Sequence, residues 1–403
     1  MNEFPEKVIK KSKNIIRSTR NSLVHKKKSN KFNSDYNEWL LRQSYVKAPK
    51  SGPKISILLP TYNTDIAHLK ECIESVIKQS YKNWELCIAD DCSTNSEVYA
   101  TIEKYTKKDK RIKAKRLAKN GHICVATNEA YKLSTGDYVS LLDHDDLIHP
   151  SALAEIATLI NSHKNVGLVY TDEDKIGLKG ERKDPFFKPD FSPYFLRSCN
   201  YITHFTTINS HLFKKIGGFR PGTEGAQDWD LILRATEKSK YIFHIPKILY
   251  SWRMSTESTA MNAKSKPYAY QNQRRVLRDH MQRIGMQGTV RKSKYPGIWN
   301  ALPGIKGNPM VSIIIPNKNS PALIKQCLDS IYTKTSYNNF EIIIIDTGSD
   351  SAETANVYKE FEITNPDTFK VLYQKGEFNF SRACNFGVKN SKGDYILLLN
   401  NDT

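Results

Sequence analysis

Asp143-His144-Asp145 places two carboxylates two residues apart at the end of a short apolar run. Around a tight turn such a pair can share one Mg²⁺ or Mn²⁺ while the ion keeps phosphate oxygens among its other ligands. A cation held there stabilises charge developing on a departing diphosphate. The plainer reading is a helix cap ahead of Pro150, and short motifs match often by chance. Asp90 and Asp91 close another apolar run. A carboxylate there can accept from a uracil N–H or a ribose hydroxyl, or simply form an Asx turn. Asp228, within Glu224–Asp230, stands at the start of a helical pattern. There it could take the proton of a hydroxyl as general base, or only answer the helix dipole. Asp230 reads as structural, and His144 as a turn residue. Arg253 follows a strand pattern and could clamp a diphosphate, a surface arginine being the plainer reading.

The elements that would position these groups follow from apolar periodicity. Ile55–Leu59 and Glu85–Ala89 are compact buried strands, and a weaker one lies near Ile112–Leu117. Between them Ile66, Leu69, Cys72, Ile73, Val76 and Ile77 share one helical face, and another helix runs from about His122 to Leu133. Ser134–Asp137 turns into strand Tyr138–Leu142, and Pro150 opens a helix. Strand alternating with helix predicts a twisted, mostly parallel sheet covered by helices on both faces. Ligands bind such sheets in the crevice beyond the strands' carboxyl ends, where both acidic clusters fall. Pro60 and Tyr62, ending the first strand, join Asp90, Asp91, Asp143 and Arg253 as nucleotide-binding candidates. Farther on, strands are expected at Phe205–Ile208, Tyr241–Ile245 and Ile248–Trp252, and helices at Gln227 to about Lys238 and Pro267–Ile284. A Gly/Pro-dotted linker, Gly285–Pro309, then follows.

From there the pattern restarts. Val311–Pro316 repeats Ile55–Pro60, and Glu341–Asp346 repeats Glu85–Asp90, both 256 residues on. Gly393-Asp394-Tyr395 repeats Gly136-Asp137-Tyr138 at an offset of 257, and Asn400-Asn401-Asp402 falls on Asp143-His144-Asp145. Register kept over such a length marks a duplicated domain. The organisation expected is a basic arm (1–50), a first domain (51–262), a basic helix and linker (263–308), and a truncated second copy (309–403). In that copy Thr347 replaces Asp91, Asn400 replaces Asp143, and nothing corresponds to Asp228, so it is expected to be inactive. Its last apolar strand, Tyr395–Leu399, is expected inside a sheet, with an edge or face left open that could promote self-association.

The formal charge is +19 over 403 residues. Residues 1–31 hold ten Lys/Arg against two acids. Val8/Ile9, Ile15/Ile16 and Leu23/Val24 would make an apolar stripe on a basic helix, suited to an anionic membrane surface. Each basic group near such a surface contributes about 1 kcal/mol. The alternative is a solvated basic arm. Nucleic acid is not an expected partner, because the basic residues are not interleaved with aromatics and no binding signature follows. No apolar run approaches membrane-spanning length, and no signal peptide is read. Seven cysteines without a Cys-x-x-Cys pair suggest neither a disulfide framework nor a zinc site. A reduced, cytoplasmic chain is expected, peripheral on the inner membrane face.

Ile55–Asn63, Glu85–Ser93, Gly136–Asp146, Gly217–Phe219 and Gly225–Leu231 together resemble the family 2 glycosyltransferases. Tyr170–Asp174, Tyr250–Arg253 and Phe378–Ser381 resemble their tandem bacterial members that build O-antigen, capsule or related surface polysaccharides. The resemblance implies an α/β GT-A fold, a Rossmann-like mixed sheet followed here by a partial second copy. It also implies inverting transfer from a nucleotide-sugar donor, UDP- or dTDP-linked, to a glycan or lipid-linked saccharide. Asp91 would meet the nucleobase, Asp145 the metal, Asp143 the ribose or metal, and Asp228 would be the base. Many relatives have Glu-Asp where this chain has Gln227-Asp228. Two rival readings are a nucleotide-binding scaffold without turnover and a glycoside hydrolase, which also needs two carboxylates.

Overall fold

The structure, a computed structural model, describes residues 34–254 and 267–403. The expected stripe of residues 1–31 lies outside them. Two compact units divide the chain, one running to Pro303 and the other from Gly304 to Thr403.

In the first unit, strands β1 (Ile55–Thr61), β2 (Trp84–Asp90), β3 (Ile112–Arg116) and β4 (Tyr138–Leu141) form a parallel sheet in the order β3-β2-β1-β4. Helices α1 (Ile66–Ile77), α2 (Ser96–Lys108) and α3 (His122–Lys132) make the crossovers. Every residue of β1 and β2 is buried, which is why they read as unbroken apolar runs rather than alternating ones. Ile55, Ile57 and Leu59 enter the core on one face, with α1 residues Leu69, Cys72, Ile73 and Val76. Leu58 enters the core on the other, with Cys124, Ala126 and Ala130 of α3. The Asp65 carboxylate caps α1 by accepting from the Ala67 and His68 amides at 2.8 and 3.0 Å.

The sheet continues through β5 (Leu147–Ile148), β6 (Leu168–Ile176), β7 (Arg182–Phe186), β8 (Thr207–Asn209) and β9 (Ile242–Arg253) in the order β4-β8-β6-β9-β5, with β7 beside β6. Strand β8 runs antiparallel to both its neighbours, so the sheet is mixed. The two strands expected within 241–252 are one, bent by register shifts opposite Thr171–Glu173. Helices α4 (Ala152–Ser162), α5 (Pro193–Ser198), α6 (Ser210–Lys215), α7 (Gln227–Lys238) and α8 (Pro267–Arg283) flank it. The segment expected to be a linker contains a hairpin, β10 (Gly288–Lys292) with β11 (Trp299–Pro303). Its Val290 and Trp299 join Val276, Leu277 and Met281 of α8 in the same core as α7. Spacing hid this, because a single buried valine and tryptophan make no period.

The second unit repeats the parallel half: β12 (Val311–Asn317), α9 (Pro321–Lys334), β13 (Phe340–Asp346), α10 (Ala352–Thr364), β14 (Phe369–Tyr373), α11 (Phe380–Lys389) and β15 (Tyr395–Leu398), in sheet order β14-β13-β12-β15. The strand expected in a sheet interior lies at the edge, and the open edge also expected there is found, with Tyr395 to Leu398 each at least 40% exposed. Its counterpart β4 is mostly buried because β8 pairs with its outer side.

The duplication extends to side chains. Ser56 donates to Glu85 at 2.6 Å and accepts from the Gly136 amide; Ser312 donates to Glu341 at 2.6 Å and accepts from the Gly393 amide. A Cβ on Gly136 would meet Ser56 Oγ at 2.5 Å, and one on Gly393 would meet the Ser312 amide nitrogen at 2.6 Å. Hence Gly opens both Gly-Asp-Tyr motifs. Asp137 and Asp394 then accept from the Lys54 and Met310 amides. Burial acts to raise the Glu85 carboxyl, but Lys113, Lys54, Ser56 and the Thr135 amide outweigh it and bring it down to about 2. Its stabilisation is therefore complete above the ordinary glutamate range and is lost as pH falls through about 2. Glu85→Gln is expected to cost about 2 kcal/mol in urea unfolding at pH 7, the two lysines being about a third exposed. A cost under about 0.5 kcal/mol would contradict this.

Candidate active site

The first unit's cleft begins where β1 and β4 part. Their ladder ends at Leu58 opposite Leu141, while β1 stays paired with β2 as far as Thr61 opposite Asp90. Pro60, which has no amide hydrogen, lies just past the last β4 pairing and could not extend that ladder. The crossover reverses direction at this point, the position at which open α/β sheets bind ligands. A cavity of about 1040 Å³ opens here, lined by Pro60, Tyr62, Asp91, Asp143, Asp145, Asp228 and Arg253 among others.

Asp91 is nearly buried, and its carboxylate accepts from the Gly121 amide at 2.7 Å, ahead of α3. Tyr62 is 44% exposed at the rim. Asp90 is different. Fully buried, it accepts from Ser93 Oγ at 2.5 Å and pairs with Arg116 at 3.3 Å. It therefore braces the turn instead of facing ligand, which corrects its place among the nucleotide-binding candidates. The sequence could not separate two adjacent strand-end acids, one of which must turn inward.

Asp143 and Asp145 open onto the cleft, their side chains 47% and 32% exposed. Depth in the cleft pushes the Asp143 carboxyl up; His204 draws it back, and Asp145 pushes it up further. An added cation would relieve that crowding, and two hard oxygen donors suit Mg²⁺ or Mn²⁺. Asp143, Asp146 and His204 also offer ligand atoms within 4.8 Å of one another. Asp146, however, is fully buried and already accepts from Tyr250 Oη and from the Arg253 amide. Burial works against charge on His204, but Glu173 and then Asp143 outweigh it and push the imidazole up to about 9. With Asp146 already committed to Tyr250 and Arg253, Asp143 and Asp145, both open to the cleft, fit a cation better than that trio. Arg253 Nε donates to the Asp145 carbonyl at 2.7 Å, and its guanidinium meets Glu71. It is thus fixed beside the carboxylate pair.

Asp228 occupies the first turn of α7 and lines the cleft. Asp230 is buried in ion pairs with Arg220 and Arg234, as the sequence suggested. Beneath the site Lys188 is buried, donating to Glu173 at 2.9 Å and to the Ile202 carbonyl at 2.7 Å. The sequence reading gave no role to Thr203 in the loop before β8, nor to Tyr268 and Gln273 of α8, all of which line the cavity, nor to Asn200 and His204, which contact Asp228 and Asp143 from that same loop. A helical face was the only signal for α8, and the loop carried none.

Residues 56–217 and 312–403, well over half of the chain, match the family model described as Glycosyl transferase family 2. The chain belongs to that family. Both copies of the repeat fall within the match. Among family relatives, "Uncharacterized protein y4gI" of Sinorhizobium fredii is 41% identical over 89% of this chain and 40% of its own length. "O-antigen biosynthesis protein RfbC" of Myxococcus xanthus is 33% identical over 89% of this chain and 28% of its own length. The chain therefore spans less than half the length of these relatives. The crystal structure of S. aureus TarS 1-349 in complex with UDP-GlcNAc is 24% identical, covering 55% of this chain and 65% of that one, with a TM-score of 0.47. Among the described residues no helix is long and apolar enough to cross a membrane.

Proposed function

We propose that the first unit transfers a sugar, with inversion, from a UDP- or dTDP-linked donor to a hydroxyl of a growing surface glycan or lipid-linked saccharide. One observation carries the reading: Asp143, Asp145 and Asp228, contributed by a strand end and a distant helix, line the same cavity as Asp91, at the sheet's switch point. Asp91 would accept from the nucleobase, and Asp143 from the ribose or as a metal ligand. Asp143 and Asp145 would hold Mg²⁺ or Mn²⁺, which offsets charge on the leaving diphosphate. Arg253 would add a fixed positive charge beside it. Asp228 takes the acceptor hydroxyl's proton as that oxygen bonds the anomeric carbon and the bond to the diphosphate breaks. The name of the M. xanthus relative supports a polysaccharide product.

A glycoside hydrolase needs two carboxylates but no nucleotide site. Calorimetric titration with UDP and dTDP in the presence of Mn²⁺ separates the two readings. Saturable binding of either nucleotide that is lost on chelation is expected, and binding of neither would contradict a nucleotide-sugar donor.

The second unit has Thr347 and Asn400 where the first has Asp91 and Asp143. Its Asp346 already accepts from the Gly348 and Ser349 amides and from Tyr358 Oη. Turnover is assigned to the first unit alone. A chain ending at Pro303 is expected to keep donor turnover and, freed of the exposed edge at Tyr395–Leu398, to be more monodisperse by light scattering. Insolubility or lost turnover would show that the second unit supports the first.

For residues 1–31 the proposal is docking on the anionic inner membrane face, near a lipid-linked acceptor. Co-sedimentation with phosphatidylglycerol vesicles should weaken with salt and vanish on their deletion. Equal binding without them would favour the solvated arm.

A further inference from the structure

Asn200 lies in the loop between α5 and β8, outside every motif singled out in the sequence. Its Nδ2 donates to Asp228 Oδ2 at 2.8 Å, while the other carboxylate oxygen accepts from the Trp229 amide at 2.8 Å. The Asn200 amide oxygen is buried and has no partner. Flipping the amide would set that oxygen against the carboxylate, so the observed orientation leaves one acceptor unmet in order to keep a donor on Asp228.

The loop is not free to drift. Tyr201 is buried, stacked on Phe195 with ring centroids 4.6 Å apart, and its hydroxyl accepts from the Ser192 amide at 2.8 Å. The Ile202 carbonyl accepts from buried Lys188. Indole Nε1 of Trp229, next to Asp228, donates to the Leu196 carbonyl at 2.8 Å and ties α7 to α5. Asn200 is thus held from both sides.

The consequence for Asp228 is geometric. A carboxylate in the first turn of a helix is drawn toward the unpaired helix amides, and Oδ1 has already turned to one. Unrestrained, the second oxygen could follow. Donation from Asn200 commits that oxygen to the side of the loop. The donor is also uncharged: a lysine or arginine there would hold the carboxylate equally well but oppose its protonation. Four residues on, His204 Nε2 lies 3.8 Å from Asp143 Oδ2, and Thr203 between them lines the cavity. One short loop thereby reaches both Asp228 and Asp143.

We propose that Asn200 is a positioning residue for Asp228, holding the carboxylate in the orientation from which it accepts the acceptor's proton. This rests on the reading of Asp228 as base. The test is steady-state hydrolysis of a nucleotide sugar that the wild-type chain turns over, with water as acceptor. Asn200→Ala is expected to lower kcat about 10- to 100-fold, the scale of a misplaced catalytic group. Donor KM, UDP affinity and melting temperature should stay close to wild type. In an Asp228→Asn background the same change should cost no more than about twofold, because the two act as a unit. Asn200→Asp sets two carboxylates against each other, which raises the proton affinity of the pair. It should move the acidic limb of the kcat profile to higher pH, a shift that a packing role would not produce. Wild-type kcat in Asn200→Ala, or parallel loss of kcat, UDP affinity and melting temperature, would overturn the proposal while leaving the base assignment standing. A wild-type rate in Asp228→Asn would instead overturn that assignment, and this inference with it.

Discussion

Asp228→Asn is expected to lower donor turnover by about 10²-fold or more while nucleotide affinity stays within about twofold. The asparagine matches the shape of the carboxylate at the start of α7 but cannot take a proton, and general-base assistance is worth this much. Asp228 belongs to α7, far in sequence from the strand ends proposed to hold the nucleotide. Removing its charge should therefore leave the ground state intact. Its contacts, from Asn200 and from the Trp229 amide, are modest enough that the fold should survive. Steady-state kinetics beside UDP calorimetry checks both halves. Near wild-type turnover would sink the base assignment, and a parallel loss of UDP affinity would place Asp228 in the nucleotide site.

Asp145→Ala should behave differently, abolishing metal-dependent nucleotide binding and turnover together. Asp145 offers an oxygen to the cleft beside Asp143, and a divalent ion with a single protein carboxylate is poorly held. Arg253 stays anchored through the Asp145 main-chain carbonyl, which the substitution keeps, so the change isolates the carboxylate. Mn²⁺ binding followed by electron paramagnetic resonance, beside UDP titration, provides the readout. Retained Mn²⁺-dependent UDP affinity would move the cation to the Asp143, Asp146 and His204 group.

These contrasting variants rest on residues that the sequence exposed to different degrees. Asp143, Asp145 and Asp91 were legible because each ends an apolar run, and strand ends in an alternating α/β pattern have a known destination. Asp228 was legible from its place at the start of a well-formed helical face, Gln227–Lys238. The duplication was the clearest signal of all, since Ser56–Glu85–Gly136 and Ser312–Glu341–Gly393 are one hydrogen-bond design written twice.

What escaped has a common cause. Asp90 and Asp91 are chemically identical neighbours, and only the turn through Ser93 decides which one faces inward. Asn200, His204 and Lys188 act across 28, 61 and 15 residues, on Asp228, Asp143 and Glu173, from segments with no period. The Tyr170–Asp174 motif drew notice only through resemblance, yet its Glu173 accepts from Thr203, which lines the cavity. Asp172 accepts from the Lys188 amide, Glu173 from Lys188 Nζ, and Asp174 from Tyr36 and Arg182. The hairpin at 288–303 was hidden because Gly and Pro mark turns as readily as linkers.

The most direct test of a metal-dependent nucleotide-sugar site in the first unit is nucleoside diphosphate release from a panel of UDP- and dTDP-sugars, measured with Mn²⁺ and again with EDTA. Release from at least one donor, abolished by EDTA and restored by added Mn²⁺, is the predicted result. Release from none of them, or release at an unchanged rate in EDTA, would contradict it.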